Sequence, residues 1–339
     1  MKILVTGGGG YIGLPLARRL RARNHQVILF DRFYFGRDLL GDLASDDQVE
    51  VVRGDIREIP AGIFQGVECV IDLAGLSNDP SADLDPALTK GINFDGAIRT
   101  AKLAKEAGVS RLIYSSSCSV YGQGEGILTE ESPRVPVSLY AKMKVRAEDD
   151  LLAMRDDNFV VSALRNATLY GLAPRMRFDL VVNIMTLYAY QRNKIFVLGG
   201  GKQWRPLVHV EDVARAFQLV LDADAKKIQG EVFNVGSDEQ NYQVATIARL
   251  VARDVPDTAV EQVPDDPDKR SYRVSFSKIQ RVLGFEVEYG VSDGVKEVHS
   301  ALIEGRVRDE LRTKTVAYYK HLLEAERLVR DLALDGKML

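Results

Sequence analysis

A chain of 339 residues with 46% hydrophobic and 27% charged side chains has ordinary globular composition, long enough for one large α/β unit and a smaller appended domain. A formal net charge of −3 excludes the electrostatic footprint of a nucleic-acid or anionic-membrane binder, so a phosphate-bearing ligand needs locally placed basic residues. No stretch reaches the roughly 18 consecutive apolar residues of a membrane span. A strand pattern starting at residue 2 leads us to expect no cleaved leader, and Cys69 and Cys118, both in apolar strand contexts, fit reduced thiols of a cytosolic protein.

Lys2 to Val5 reads as a buried strand running into Thr6-Gly7-Gly8-Gly9-Gly10-Tyr11-Ile12-Gly13, with a helix over Leu14 to Ala22. This is a dinucleotide-binding fingerprint in its proper setting. Gly7 and Gly10 let the backbone turn and approach a pyrophosphate, Gly13 lets the helix pack on the sheet, and the helix N-terminus, with Tyr11 and Ile12, offers N–H groups and partial positive charge. A second strand, Gln26 to Phe30, ends at Asp31, whose carboxylate accepts from an adenosine ribose and repels a 2′-phosphate, favouring NAD over NADP. Arg32 leaves a 2′-phosphate open.

A loop with a short helix is expected over Arg32 to Asp47, then a strand over Val49 to Arg53 ending at Gly54-Asp55-Ile56. Asp55 reads either as a contact to the adenine amino group or as a cap for the next helical turn. The strand Val67 to Leu73 ends in Ala74-Gly75, where small residues admit a cofactor closely. One long helix is expected from Pro86 to Gly108, containing Asn93. The next strand, Arg111 to Ser115, runs on through Ser116-Ser117-Cys118-Ser119-Val120-Tyr121-Gly122, and Gln123 to Pro136 is expected to loop over the site. Ile56, Leu73, Ala74, Gly75, Asn93 and Ser115 complete the candidate cofactor contacts.

Ser138 caps a helix over Leu139 to Met154 that presents Tyr140 and Lys144 one turn apart on one face. Beyond Gly171 the alternation becomes irregular, placing a Rossmann domain at 1–171, with 202–235 returning to it, and a substrate domain at 172–201 and 236–308. From Asp309 to Leu334 the near-helical apolar spacing predicts an amphipathic helix, which packs on its own subunit or forms an oligomer contact.

Ser117, Tyr140 and Lys144 are the candidate catalytic residues. Hydride leaves a sugar carbinol only if the hydroxyl proton also leaves, so a base must lie within hydrogen-bond reach. Tyrosine, with a pKa of about 10, is a poor base at neutral pH. A nearby ammonium, helped by a cationic nicotinamide, is expected to lower it, while Ser117 supplies a second hydrogen bond. No metal ligands are expected.

The chain resembles the extended short-chain dehydrogenase/reductases acting on nucleotide sugars, the NAD-dependent epimerase/dehydratase family, of which the UDP-galactose 4-epimerases are members. The resemblance rests on Thr6-Gly7-x-x-Gly10-x-x-Gly13, Asp31, Gly54-Asp55, Ser115 to Gly122 and Tyr140-x-x-x-Lys144. It continues through Phe196 to Gly199, Arg205 to Ala214, Asn234-Val235-Gly236 and Lys278 to Phe285. It implies an α/β fold, a Rossmann doubly wound parallel sheet with a smaller C-terminal substrate-binding domain. It also implies Tyr140 as base, Lys144 orienting it and binding the nicotinamide ribose, and Ser117 on the sugar hydroxyl. In the smaller domain it implies Asn183 near the sugar-phosphate, Phe196 by the nucleoside and Arg205 on the diphosphate. His209 reads as a structural histidine rather than a proton shuttle.

Three departures bear on the reaction. The 4,6-dehydratases place Asp and Glu where this chain has Cys118 and Ser119, which argues against dehydration. Thr168 stands where epimerases commonly carry an asparagine. Val263-Pro264-Asp265-Asp266, followed by Asp268, replaces an arginine-proline-glycine-aspartate element, so Arg270 or Arg273 would take over the missing arginine's contacts. Ser77-Asn78-Asp79 and Gln123 to Glu131 are expected to line the sugar pocket. The resulting reading is a cytosolic, homodimeric NAD-dependent 4-epimerase of a nucleoside-diphosphate sugar. Its rivals are a 4-keto-sugar reductase using NAD(P)H and a non-catalytic cofactor sensor or scaffold.

Overall fold

The computed structural model describes residues 1–264 and 270–333; Asp265, Asp266 and Asp268 lie outside them. Short runs rich in Val, Ile and Leu form seven strands: β1 (Lys2–Thr6), β2 (Gln26–Asp31), β3 (Val49–Arg53), β4 (Cys69–Asp72), β5 (Arg111–Ser117), β6 (Val160–Asn166) and β7 (Val232–Val235). All pair in parallel, in the order β7-β6-β5-β4-β1-β2-β3. The chain winds outward in both directions from β1, so a crevice opens above the carboxyl ends of β1 and its neighbours, where a doubly wound sheet binds ligands.

The longer helices are α1 (Gly13–Ala22), α2 (Ala97–Glu106), α3 (Leu139–Ala153), α4 (Val181–Arg192), α5 (Val210–Asp222), α6 (Val244–Asp254), α7 (Val291–Ile303) and α8 (Thr315–Leu332). Leu16 and Leu20 of α1 and Phe217 and Val220 of α5 bury against one sheet face. On the other face, Ala97, Ala101 and Ala104 let α2 approach closely beside Ala147 and Leu151 of α3. Both faces are therefore covered, as a parallel sheet requires. A separate apolar cluster, including Tyr170, Val182, Ile195, Leu207, Ile247 and Val295, holds α4, α6 and α7 around the small strands Thr168–Tyr170, Lys194–Leu198 and Trp204–His209.

Two elements differ from the sequence reading. The helix expected from Pro86 to Gly108 is a short helix, Pro86–Lys90, then a π-helical turn, Gly91–Gly96, and only then α2. The wider turn lets Asn93 bind the main chain of Leu76 twice, accepting from its N–H at 2.8 Å and donating to its carbonyl at 3.0 Å. Within the expected loop, Gln123–Leu128 is a strand paired in parallel with Ser271–Val274. Its two glycines dilute the alternation, and its ladder partner lies about 150 residues away in the sequence, beyond any local pattern.

Beneath the crevice, Glu148 is 1% exposed. It accepts from the Ser116 hydroxyl at 2.8 Å and from Arg165 at 3.1 and 2.5 Å, and Arg134 lies 3.2 Å away. Removing one partner of such a pair strands a buried charge, so Glu148→Ala is expected to lose about 3–5 kcal/mol of stability, measured by denaturant unfolding.

Candidate active site

The crevice is a cleft of about 640 Å³ bordered by the glycine turn, the carboxyl ends of β2, β4 and β5, the α3 N-terminus and the smaller unit. Gly7 has φ +68°, and a Cβ there would lie 2.8 Å from the Ala74 nitrogen; at Gly13 a Cβ would lie 2.5 Å from the Gly8 carbonyl oxygen. The turn thus passes too close to neighbouring backbone for any side chain. No side chain caps α1; the Leu14 N–H goes to the Gly10 carbonyl at 3.3 Å and Pro15 has none, so what the helix offers an anion is its Gly13 end and its partial positive charge. Gly7, Gly10, Tyr11, Ile12 and Gly13 all line the cleft. The Tyr11 hydroxyl also donates to the Gly171 carbonyl at 2.5 Å, tying the turn to the smaller unit.

At the end of β2, Asp31 accepts from the Gly9 N–H at 3.1 Å and the Phe33 N–H at 2.7 Å, and burial raises its carboxyl above the usual range. Arg32 turns to Asp55, 2.5 Å away, and Arg57 reaches the same carboxylate at 2.6 Å. The two guanidiniums hold Asp55 well below the usual range. Asp55 also accepts from the Arg57 N–H at 2.9 Å, capping the turn Ile56–Glu58, while still bordering the cleft. A 2′-phosphate would have to compete with Asp55 for Arg32. Ile56, Leu73, Ala74, Gly75 and Ser115 border the same cleft. Asn93 does not; its amide is spent on Leu76.

Ser138 accepts from the Ala141 N–H at 3.1 Å, starting α3 so that Tyr140 and Lys144 face the end of β5. Lys144 is 5% exposed, donates to the Ser115 carbonyl at 2.6 Å and lies 4.6 Å from the Tyr114 ring centroid and 5.9 Å from that of Tyr140. Burial pulls its ammonium down to about 8, against the opposing fields of Asp72 and Glu148. Ser117 accepts from the Ser119 N–H at 3.1 Å and interacts with the Tyr140 hydroxyl. The expected depression of the Tyr140 pKa is not found. Burial, reinforced by Asp79, pushes it up to about 12, against Ser117, Arg177 and Arg270, which act to lower it. Desolvation of the phenolate outweighs the cations, because Tyr140 is largely buried even where it borders the cleft.

On the substrate side, Ser77, Thr168, Phe196, Arg205 and Arg270 border the cleft. Arg270 pairs with Asp79, which also accepts from the Ser138 hydroxyl, so a carboxylate bridges the α3 cap to the smaller unit. Arg273 instead stacks over Trp204, 5.1 Å from its centroid. Asn183 is corrected. It is fully buried, accepts from the Gly171 N–H at 3.0 Å and donates to Tyr11 at 3.1 Å, an internal brace rather than a wall of the cleft. His209 is buried, with Nε2 2.6 Å from Glu297 and its ring stacked on Tyr289. The Cys118 thiol is buried, donates to the Arg165 carbonyl and is raised far above its ordinary range, so it carries no proton into the cleft.

Sequence reasoning missed Asp72, Arg175, Arg177, Asp179 and Tyr319. The pattern Arg175-Met176-Arg177-Phe178-Asp179 was a usable signal, because an acidic chain that binds phosphates needs local cations. Asp72 and Tyr319 had no local signal.

Residues 3–236 match the model of the NAD dependent epimerase/dehydratase family, and the chain belongs to that family. It is 31% identical over 309 residues to a UDP-glucose 4-epimerase of Mycolicibacterium smegmatis, covering 87% of this chain and 96% of that one. It is 26% identical to UDP-glucuronic acid decarboxylase 1 of Xenopus tropicalis, covering 88% and 71%. Among solved structures it is similar to MoeE5 in complex with UDP-glucuronic acid and NAD, with 28% identity, a TM-score of 0.77 and coverage of 90% and 100%. The protein is thus an enzyme of an NAD-dependent family, and the positive end of α1, the close-packed glycines and Asp31 fit that cofactor. Asp31→Asn removes a charge-assisted acceptor worth about 1.5–3 kcal/mol. It is expected to weaken NADH binding about tenfold or more and to narrow the preference over NADPH, measured by fluorescence titration of both.

Proposed function

We propose that the protein epimerises a nucleoside-diphosphate sugar at C4 through a 4-keto intermediate. The observation that carries this reading is the meeting of Ser117, Tyr140 and Lys144 in one cleft with the glycine turn, while the two positions after Ser117 hold a buried thiol and a serine rather than proton carriers. Bound NAD supplies a reversible hydride acceptor and a cationic ring. Tyr140 takes the hydroxyl proton at the sugar oxygen and later returns it. Lys144, anchored on the Ser115 carbonyl, holds positive charge beside the phenol, and Ser117 shares the reacting oxygen. The similarity to a UDP-glucose 4-epimerase supports the reaction. Arg32 is engaged by Asp55, which weakens the feature that favoured an NADPH-dependent reductase.

Arg177 and Arg270 both border the cleft and bear on Tyr140, each paired with a carboxylate of the same wall, Asp179 and Asp79. The similarity to a UDP-glucose 4-epimerase and to a protein solved with UDP-glucuronic acid puts UDP-glucose and UDP-glucuronic acid at the head of the substrate screen. The buried free cysteines accord with a cytosolic protein, and α2 and α3 are the helices through which a homodimer would form; sedimentation measures that directly.

The deciding experiment incubates purified protein with each UDP-sugar without added nicotinamide and follows the C4 epimer by NMR. Epimer formed without net cofactor consumption supports the reading; turnover only with stoichiometric NADH or NADPH oxidation makes the protein a reductase. Tyr140→Phe is expected to lower kcat by about 10²–10⁴-fold with cofactor binding retained. Ser117 lowers the Tyr140 pKa, so in Ser117→Ala the phenol deprotonates only at higher pH. The acid limb of the kcat profile moves upward, checked by a pH series.

A further inference from the structure

The cleft has a wall that the dinucleotide fingerprint does not account for. Arg175, in the irregular segment between Gly171 and α4, borders the cleft and is 3% exposed. Its guanidinium lies 3.7 Å from the Phe35 ring centroid, and Nη2 donates to the Thr315 hydroxyl at 2.9 Å. Nη1 is buried with no hydrogen-bond partner among the described residues, and no carboxylate among them forms an ion pair with Arg175. Asp179 is taken up elsewhere, by Arg177 at 2.6 Å, Asn78 at 2.7 Å and Thr315 at 2.8 Å. Arg177 thus takes the Asp179 carboxylate, Asp31 and Asp179 act on Arg175 only through their fields, and burial together with Arg177 lowers Arg175 only to about 10, so it stays charged at neutral pH. A buried cation in this state is incomplete without an anion.

The same wall includes the C-terminal helix. Val316 and Tyr319 of α8 border the cleft. The Tyr319 ring lies 5.6 Å from Phe35 and 6.4 Å from Tyr34, residues that follow directly on Asp31. Tyr318 donates to the Tyr34 carbonyl at 2.8 Å, and Arg312 reaches Asp38 at 2.7 Å. Thr315 joins the two features, since it starts α8 and holds both Arg175 and Asp179.

We propose that Arg175 and the first two turns of α8 form a clamp on the dinucleotide, with Arg175 the buried cation for its diphosphate and Val316 and Tyr319 closing over its adenosine end. Cofactor release then requires α8 to lift, and lifting α8 withdraws Thr315 from Arg175. The clamp acts on the cofactor whichever sugar reaction the centre performs, so its test needs no sugar.

The test uses full-length protein and NADH as probe. Affinity is read by fluorescence titration, release by stopped-flow displacement with excess NAD, and folding by circular dichroism and melting without cofactor. Arg175→Met is expected to bind NADH at least tenfold more weakly, with Arg175→Lys recovering part of the loss. Tyr319→Ala is expected to release NADH at least tenfold faster, while Arg330→Ala, at the far end of α8, behaves as wild type. Folded Arg175→Met with wild-type affinity overturns the role of the cation. Wild-type release from Tyr319→Ala overturns the clamp, and that variant decides the matter if Arg175→Met fails to fold.

Discussion

The candidate site depends on a buried ammonium. Lys144 is withdrawn from water and held against the Ser115 carbonyl, an arrangement that costs solvation and survives only because its surroundings are built to keep it. Asp72, bonded to the Thr6 hydroxyl at the end of β4, and Glu148, fixed by Arg165, supply the opposing fields. These carboxylates sit on different elements, so the charge balance exists only once β1, β4, β5, β6 and α3 have all packed. The same packing brings the glycine turn and the Tyr140 phenol to one cleft. A site of this kind is a property of the assembled sheet rather than of any motif.

Enclosure also explains the state of Tyr140. The phenol is pushed up to about 12 although Arg177, Arg270 and Ser117 act in the opposite direction. Where burial strips water from a phenolate, the uncharged phenol is favoured. Positive charge entering the cleft acts on that balance in the same direction as Arg177 and Arg270. Under the proposed function, with Tyr140 as the base, a cationic cofactor ring would favour its phenolate, and proton abstraction would be coupled to occupancy.

What could be read from sequence was whatever the chain encodes over short spans. The run from β1 through the glycines to Asp31, and the four-residue spacing of Tyr140 and Lys144, are written in periodicity and in residue types with narrow uses. The misreadings share one cause. Asn93 and Asn183 stand where polar side chains could meet a ligand, yet each is consumed by nearby backbone, at Leu76 and Gly171. Such competition is invisible until the loops are placed. The π-helical turn at Gly91–Gly96 changes no apolar period. Arg175 and Asp179 meet Thr315 and the start of α8 only through tertiary contact across about 140 residues.

The return of the chain to the main sheet bears on how the protein is made. β6 ends at Asn166, but its outer neighbour β7 comes from Val232–Val235, after the chain has crossed the smaller unit. During synthesis, β6 therefore waits with one edge open until some 65 further residues have emerged. An open apolar strand edge is a template for pairing with other chains. A nascent or proteolysed fragment ending near residue 171 would present that edge permanently, making it a substrate for chaperones and aggregation rather than a self-sufficient dinucleotide module.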